Sequence, residues 1–247
     1  MSNPKVLIGV VTASQKDYCV EEFKKLLKSF TYDNYEVFIV DNSEDEKHIE
    51  TFKDFEVEHH SRFNKFGETE AGNVMLTKCQ NRIREKFLQS DYEYLFFLES
   101  DCFPPKDWIE YAVSFGAPVY TATYPIKVRY KTPSLCVQYL HVLRHKGIDK
   151  IYSNSLMLPP DVKFPAEVKP ITHFKIGERM CLTHTGIGCT LMRKDVVQYV
   201  PFRIDFNNDQ KIGRMTFSDT FFYTDCLIRK IEVLFDNRYI INHIKNW

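Results

Sequence analysis

The sequence predicts an α/β fold with a mostly parallel, doubly wound sheet and helices on both faces. Two observations carry this prediction. Short apolar runs alternate, along the first half of the chain, with longer segments whose apolar residues recur every three or four positions. Continuous apolar runs are typical of parallel strands buried on both faces, and their alternation with helices favours a parallel sheet.

The apolar runs place the strands, and the helices lie between them. Strands are predicted at residues 5–11, 35–40, 56–59, 94–98 and 119–123, and helices at 16–30, 44–54 and 71–87, with a short helix after the prolines at 104 and 105. Beyond Thr123 prolines are frequent, which predicts a mixed, loop-rich half with antiparallel strands. There a strand is predicted at 188–193, a helix at 194–199 and a helix at 218–230 that Ser218 caps.

Length and charge exclude several classes of protein. The chain has 247 residues, and we expect one domain over residues 1–247, made of two halves at 1–123 and 124–247. A formal net charge of zero supplies no basic field for a nucleic-acid backbone. No run approaches the roughly 20 apolar residues of a membrane span, so no stable membrane insertion is expected.

The cysteines indicate a compartment rather than a site. There are seven, an odd number, and none forms a C-x-x-C pair, which argues against a disulfide framework and against a zinc knuckle. We therefore expect buried thiols in a reducing environment. This predicts a cytoplasmic protein, in the host cytoplasm if the chain is viral.

The most informative stretch is the apolar strand at 94–98, which leads directly into Glu99, Ser100 and Asp101. In open α/β sheets, ligands bind beyond the carboxyl ends of the strands. Two acids at such an end can bind one hard cation, and Mg²⁺ or Mn²⁺ there would neutralise a diphosphate leaving group. The same triplet is also compatible with a polar turn, so the residues alone leave both interpretations open.

Two further strands end in polar residues that should lie along the same edge of the sheet. The first ends at Thr12 and the second at Asp41, and together with Glu99 they predict a nucleotide cleft. Neither a G-x-G-x-x-G after the first strand nor a G-x-x-x-x-G-K-[ST] occurs, which disfavours a dinucleotide site and a P-loop. His59 and His60 have no acid or cysteine at ligand spacing.

Six segments and one histidine follow each other in an order known from one enzyme family. They are residues 11–14, 38–43, 71–73, 97–101, 185–193 and 217–222, followed by His243. In this order they resemble the GT-A glycosyltransferases of the family-two kind, from about Lys5 to His243. The resemblance implies a GT-A fold in which the half at 1–123 binds a nucleotide-sugar and the half at 124–247 binds the acceptor.

The resemblance also implies a donor site. Thr12 and Asp41 would contact the nucleoside, and Asn73 would lie near the nucleotide. Ser100 and Asp101, with Glu99 before them, would meet the phosphates or ribose of the donor. We expect a UDP-sugar, with GDP- and TDP-sugars left open.

The metal and the general base are implied in the same way. Asp101, Glu99 and His243 would bind Mn²⁺ or Mg²⁺, and Asp219 would take the acceptor proton in a single displacement with inversion. This chain departs from the family pattern at Glu99, where aspartate is usual, and before Asp219, where a second acid is common. Asp225 therefore competes with Asp219 for the role of base, and Asp219 could instead cap its helix.

The expected activity is therefore that of a hexosyltransferase, with an acceptor that the sequence does not identify. A glycan, a protein, a lipid-linked sugar and a modified nucleic-acid base are all compatible. One alternative is a nucleotidyltransferase acting on a sugar phosphate, against which the glycine-poor segment after Thr12 argues. The other is a non-catalytic module that binds nucleotide or sugar.

Overall fold

A computed structural model describes the parts of the chain on which the site depends. The described residues are 3–63, 67, 69–123, 125–126, 134–135, 140–145, 148–153, 168–170, 179–182, 186–204 and 217–243. In the strands between 123 and 182, at 236–240 and at 243, the description is of the backbone.

Fifteen strands and five α-helices are formed by the described residues. The strands are β1 (Val6–Thr12), β2 (Tyr35–Asp41), β3 (Glu56–His59), β4 (Tyr94–Leu98), β5 (Cys102–Phe103), β6 (Val119–Thr123), β7 (Pro125–Ile126), β8 (Ser134–Leu135), β9 (Leu140–His145), β10 (Ile148–Ser153), β11 (Val168–Pro170), β12 (Arg179–Leu182), β13 (Cys189–Arg193), β14 (Val233–Ile240) and β15 (Asn242–His243). The helices are α1 (Val20–Leu27), α2 (Gly72–Leu88), α3 (Trp108–Ser114), α4 (Lys194–Tyr199) and α5 (Ser218–Ile228). Two 3₁₀ helices span Ser14–Cys19 and Glu46–Phe52.

Eleven of the described strands form one sheet, in the order β11-β9-β10-β12-β14-β6-β13-β4-β1-β2-β3. Strands β3, β2, β1 and β4 are parallel to each other. Strand β13 runs antiparallel between β4 and β6, and β14 is parallel to β6. The predicted parallel first half and mixed second half are therefore confirmed for the described residues, and the sheet continues from one half into the other.

Helices cover both faces of this sheet because its central strands are apolar on both sides. In β4, Phe96 and Leu98 pack with α1 and α3 in one buried cluster, whereas Leu95 and Phe97 pack with α2, α4 and α5 in the other. Successive side chains of a strand point to opposite faces, so a wholly apolar strand requires a helical layer on each. The predicted three-layer arrangement is confirmed.

Gly9 of β1 allows α2 to approach the sheet closely. A Cβ atom added at Gly9 would lie 2.3 Å from Cγ2 of Ile83, a buried residue of α2. We expect Gly9→Ala to lower the free energy of unfolding by about 1–3 kcal/mol, because an extra methyl group must be forced into a packed core. Urea denaturation measures this difference.

Gly72→Ala is the matched control for Gly9→Ala. Gly72 begins α2 and is exposed, and a Cβ atom there would meet no atom within 4 Å. Its free energy of unfolding should stay within about 0.5 kcal/mol of wild type. Equal effects of the two substitutions would contradict the close approach of α2 at Gly9.

Some predicted helices were wrong in type or length. The helix predicted at 16–30 is a 3₁₀ helix at Ser14–Cys19 followed by α1, and the one predicted at 44–54 is the 3₁₀ helix Glu46–Phe52, in which Phe52 is the buried residue. The predicted cap Ser218 is also wrong. Phe217 is the N-cap of α5 and has no side-chain acceptor, and the Ser218 hydroxyl donates to Oε1 of Gln80.

The five cysteines whose side chains are described are all free and buried, as predicted: Cys19, Cys79, Cys102, Cys189 and Cys226. Within the described part of the chain, no helix has the length and apolar character needed to cross a bilayer.

Candidate functional site

The carboxyl ends of three parallel strands form the edge at which the predicted site residues lie. Thr12 ends β1 beside Asp41, which ends β2, and the two residues are register partners. Strand β4 lies on the other side of β1 and ends just before Glu99. The expected convergence of three polar strand ends on one edge is confirmed.

Hydrogen bonds join the three strand ends to each other. The Thr12 hydroxyl donates to Oγ of Ser100 at 3.2 Å, and both residues are buried. The backbone N–H of Asn42 donates to the carbonyl of Thr12 at 2.9 Å, and that of Ser14 donates to Oγ of Ser43 at 2.8 Å. The loops after β1, β2 and β4 therefore form one connected surface.

The turn after β4 brings together three side chains that could bind a cation. Ligand atoms of Glu99, Asp101 and Cys102 lie within 4.8 Å of one another, with Glu99 partly exposed and Asp101 fully buried. Burial raises the pKa of the Cys102 thiol well above its ordinary value, which disfavours the thiolate when no metal ion is bound. The usable donors are carboxylate oxygens, which fit Mg²⁺ or Mn²⁺ better than a thiolate-seeking metal.

Asp101 is held by residues that sequence analysis did not identify. Its Oδ2 atom accepts hydrogen bonds from the Lys16 ammonium group and from the Tyr18 hydroxyl, the latter at 3.3 Å. Both residues belong to the 3₁₀ helix after β1. A buried carboxylate needs such partners, since an isolated buried charge is strongly unfavourable.

The backbone of His243 lies beside this turn. Strand β15 pairs with β5 in antiparallel register, so that His243 is opposite Cys102, the residue after Asp101. The chain thus returns to the acidic turn at the position predicted for a late metal ligand. The His243 side chain lies outside the described part of the structure, and its metal role stays a prediction.

Asp41 is fully buried, and four protein donors fill its carboxylate. Oδ1 accepts from the Ser43 N–H at 3.1 Å and from His59 Nδ1 at 3.3 Å. Oδ2 accepts from the Ser43 hydroxyl at 2.9 Å and from His48 Nδ1 at 2.7 Å. A carboxylate has about four acceptor positions, so a nucleoside contact would have to replace one of these donors.

His48 bridges two carboxylates. Its Nε2 atom lies 2.7 Å from Oδ1 of Asp17, in addition to the Nδ1 contact with Asp41. Both contacts are donating only when the ring carries two protons. Burial acts to lower the pKa of His48, but the hydrogen bonds to Asp17 and Asp41 outweigh it, and the pKa lies above its ordinary value of 6.5.

His48→Gln should therefore cost more stability in acid than in base. Because the pKa of His48 is raised on folding, its contribution is fully present below about pH 6.5 and is lost as the pH rises through the folded value. We expect the cost at about pH 5.5 to exceed that at about pH 8.5 by on the order of 1 kcal/mol. Urea denaturation of both proteins at the two pH values measures it.

His60→Gln is the control, with the opposite sign. Burial, followed by the nearby charge of Lys78, lowers the pKa of His60, so the folded state disfavours its protonation. The contribution of His60 to the free energy of unfolding therefore falls as the pH drops below about 6.5. His60→Gln should lower the free energy of unfolding less in acid than in base. The same pH trend for both variants would contradict the bridging role of His48.

Asn73 lies at the same edge because of the direction of α2. This helix leads into β4 and packs against β1 and β2, so its amino end is at the carboxyl ends of those strands. Asn73 is the second residue of α2 and is 6% exposed, and its Oδ1 accepts from the N–H of Val74 at 3.0 Å. Its predicted place near a nucleotide is compatible with this position.

Asp219 lies in the first turn of α5, which leads into β14 and begins at the same edge. Its Oδ1 accepts from the N–H of Thr220 at 2.6 Å, and no described residue forms a hydrogen bond with its Oδ2. Asp225 lies six residues further along, about 9 Å up the helix axis. Arg203 binds both of its oxygens, at 2.7 and 2.9 Å. The structure thus favours Asp219 over Asp225 as the carboxylate available to a ligand.

The aromatic residues that follow Asp219 belong to the core. Phe221, Phe222 and Tyr223 are 5%, 0% and 0% exposed, so they are not a platform for a sugar ring. The Tyr223 hydroxyl donates to the carbonyl of Gly186 at 3.3 Å. This contact joins α5 to the segment before β13, and both lie in the half at 124–247 that was expected to bind the acceptor.

Four residues of this edge were missed, and one signal could have identified one of them. Strands β2 and β3 pair in parallel with Asp41 opposite His59, so the register of the two predicted strands implies that contact. Lys16, Tyr18 and His48 reach their carboxylates across loops, and no periodic pattern marks such contacts.

Comparison with known proteins identifies the fold. No protein-family model matches the chain, and no curated protein sequence matches it. S. aureus TarS 1–349 in complex with UDP-GlcNAc superposes with a TM-score of 0.57 at 12% identity, over 98% of this chain and 59% of that one. Its complex with UDP gives a TM-score of 0.52 at 12% identity, over 96% and 59%.

This chain thus spans less than two thirds of the TarS chains that it matches. TarS is a GT-A-type glycosyltransferase, and the likeness extends over nearly the whole of the present chain. The chain has a GT-A-like glycosyltransferase fold.

Proposed function

We propose that this protein transfers a sugar from a nucleotide-diphosphate sugar to an acceptor hydroxyl. A UDP-sugar is the expected donor, since the TarS structures of the same fold hold UDP-GlcNAc and UDP. The acceptor stays open among a glycan, a protein, a lipid-linked sugar and a modified nucleic-acid base.

The observation that carries the proposal is the joining of the acidic turn to the end of β1. The buried Thr12–Ser100 hydrogen bond fixes the position of Asp101 next to the strand end where a nucleoside is expected. A nucleoside on Thr12 would extend its diphosphate towards Glu99 and Asp101. This arrangement suits an activated sugar better than a free sugar, which has no diphosphate to place there.

In this proposal Glu99 and Asp101 hold Mn²⁺ or Mg²⁺, with His243 as a further ligand. The cation supplies positive charge that stabilises the departing diphosphate. Thr12 and Asn73 position the nucleotide, and Ser100 keeps the turn after β4 in place. Asp41 orders the loop beside the nucleoside and contacts the base when His59, its longest partner at 3.3 Å, gives way.

The base in this proposal is Asp219, which takes the proton from the acceptor hydroxyl as that oxygen attacks the anomeric carbon. Direct attack opposite the leaving diphosphate gives inversion. Two observations support this role. No described residue forms a hydrogen bond with Oδ2 of Asp219, and Asp219 lies in the first turn of α5. A general base must lie within hydrogen-bond reach of the proton that it takes.

Thermal shift with UDP, GDP and TDP, each with Mn²⁺ or with EDTA, tests the donor site. A ligand at about 100 times its Kd stabilises the native state by about 2.7 kcal/mol, or roughly 5–11 °C for a chain of this size. The proposal predicts such a shift with UDP and Mn²⁺ and its loss in EDTA. No shift with any of the three nucleotides would overturn it.

A further inference from the structure

Lys16 has an unusual position for a surface lysine. Its side chain is 37% exposed, yet its ammonium group contacts Oδ2 of Asp101, whose side chain is fully buried. The ion pair thus joins a carboxylate that cannot reach solvent to a cation that can. Lysine has a flexible four-carbon stem, so the ammonium group can leave Asp101 without movement of the backbone.

The backbone that carries Lys16 is itself fixed to the acidic turn. The Tyr18 hydroxyl donates to Asp101 at 3.3 Å, and the Cys19 thiol donates to the carbonyl of Ser100 at 3.4 Å. Thr12 makes its hydrogen bond to Ser100 just before this segment. The Cα atom of Lys16 is therefore held beside the candidate cation site whether or not its ammonium group contacts Asp101.

The charges at this site require a further cation when a diphosphate binds. Glu99 and Asp101 together carry two negative charges, which cancel those of one divalent cation. The diphosphate brings additional negative charge into a site whose Asp101 is shielded from water. The cation and its two carboxylate ligands together have no net charge, so they cannot balance the charge of the diphosphate. The Lys16 ammonium group lies next to this position and supplies a positive charge.

We propose that Lys16 binds the donor diphosphate and that, before metal and donor arrive, it serves as the counter-ion of Asp101. The divalent cation and the ammonium group compete for the same carboxylate. When the cation binds, the ammonium group is released from Asp101 and contacts the phosphate oxygens. This inference rests on the proposed function, because it assumes a donor with a diphosphate.

The proposal predicts opposite effects of Lys16→Met on two affinities. Binding of Mn²⁺ alone should tighten by about 3- to 10-fold, because the competing cation is absent. Binding of UDP at saturating Mn²⁺ should weaken by about 10-fold, the usual loss for one charged hydrogen bond. Titration calorimetry measures both, and the Mn²⁺ titration needs no activity.

Lys24→Met is the matched control, because Lys24 lies on α1 nearby and pairs with Glu21 at 3.0 Å on the surface. Both affinities should be unchanged in it. Lys16→Gln, which keeps a hydrogen-bond donor without the charge, should repeat the crossed result and provides a second variant if Lys16→Met does not fold.

Three outcomes would overturn the role of Lys16: unchanged Mn²⁺ affinity, unchanged UDP affinity, or a parallel fall of both. A parallel fall would show that Lys16 only supports the fold of the turn. If the wild-type protein binds UDP with Mn²⁺ and the variants do not differ from it, the role of Lys16 fails and the proposed function stands. If the wild-type protein binds neither Mn²⁺ nor UDP, the role of Lys16 and the proposed function both fail.

Discussion

Asp219→Asn is expected to lower the rate of sugar transfer by about 10²- to 10⁴-fold with little effect on UDP affinity. The amide keeps the size of the side chain and its acceptor oxygen for the N–H of Thr220, but it cannot take a proton from the acceptor. In the proposed site, nucleotide binding depends on the turn after β4, so we expect it to persist. UDP release from a UDP-sugar, measured beside UDP affinity, separates the two effects.

Asp225→Asn is the control, since Asp225 lies on the same helix and its carboxylate is bound by Arg203 through both oxygens. That substitution should lower the free energy of unfolding by about 1–3 kcal/mol and leave turnover within a few-fold of wild type. A loss of turnover at Asp225 equal to that at Asp219, or full activity of Asp219→Asn, would contradict the assignment of the base.

Asp101→Asn is expected to weaken Mn²⁺ binding by about 100-fold or more and to abolish the Mn²⁺-dependent thermal shift with UDP. The substitution removes a negative charge from the pair of acids proposed to hold the cation and leaves the size of the side chain unchanged. Lys16 keeps access to solvent, so the variant should fold. Calorimetric titration with Mn²⁺ and thermal shift with UDP measure the two losses.

Asp195→Asn provides the matching control at a distance from the site. Asp195 lies in the first turn of α4 and pairs with Arg193 through both oxygens, at 2.6 and 2.7 Å, on the surface. It should bind Mn²⁺ and UDP as the wild type does. Mn²⁺-dependent UDP binding retained in Asp101→Asn would exclude Asp101 as a metal ligand.

The helices and strands were predictable where the local pattern of apolar residues shows which side chains are buried. Strand β4 and helix α4 were predicted at their observed bounds, since an apolar run and a short periodic segment mark them without ambiguity. The first helix was not. Its opening turn is a 3₁₀ helix from which Lys16 and Tyr18 contact Asp101, more than 80 positions away in the sequence. Apolar periodicity contains no information on such a contact.

The site residues at the ends of strands were predictable from the sequence, whereas those in loops were not. Thr12, Asp41 and Asp101 follow apolar strands, and the rule that ligands bind at the carboxyl ends of parallel strands places all three on one edge. His48 lies in a 3₁₀ helix with few buried residues, so nothing in its neighbours indicates that it reaches Asp41.

Release of UDP from UDP-sugars, measured with Mn²⁺ and with EDTA, tests whether this protein cleaves a nucleotide-sugar as proposed. We expect slow release with water as acceptor for at least one UDP-sugar, and its loss in EDTA and in Asp101→Asn. Tight binding of UDP-sugars without any release, with and without candidate acceptors, would contradict it and indicate a non-catalytic binding module with this fold.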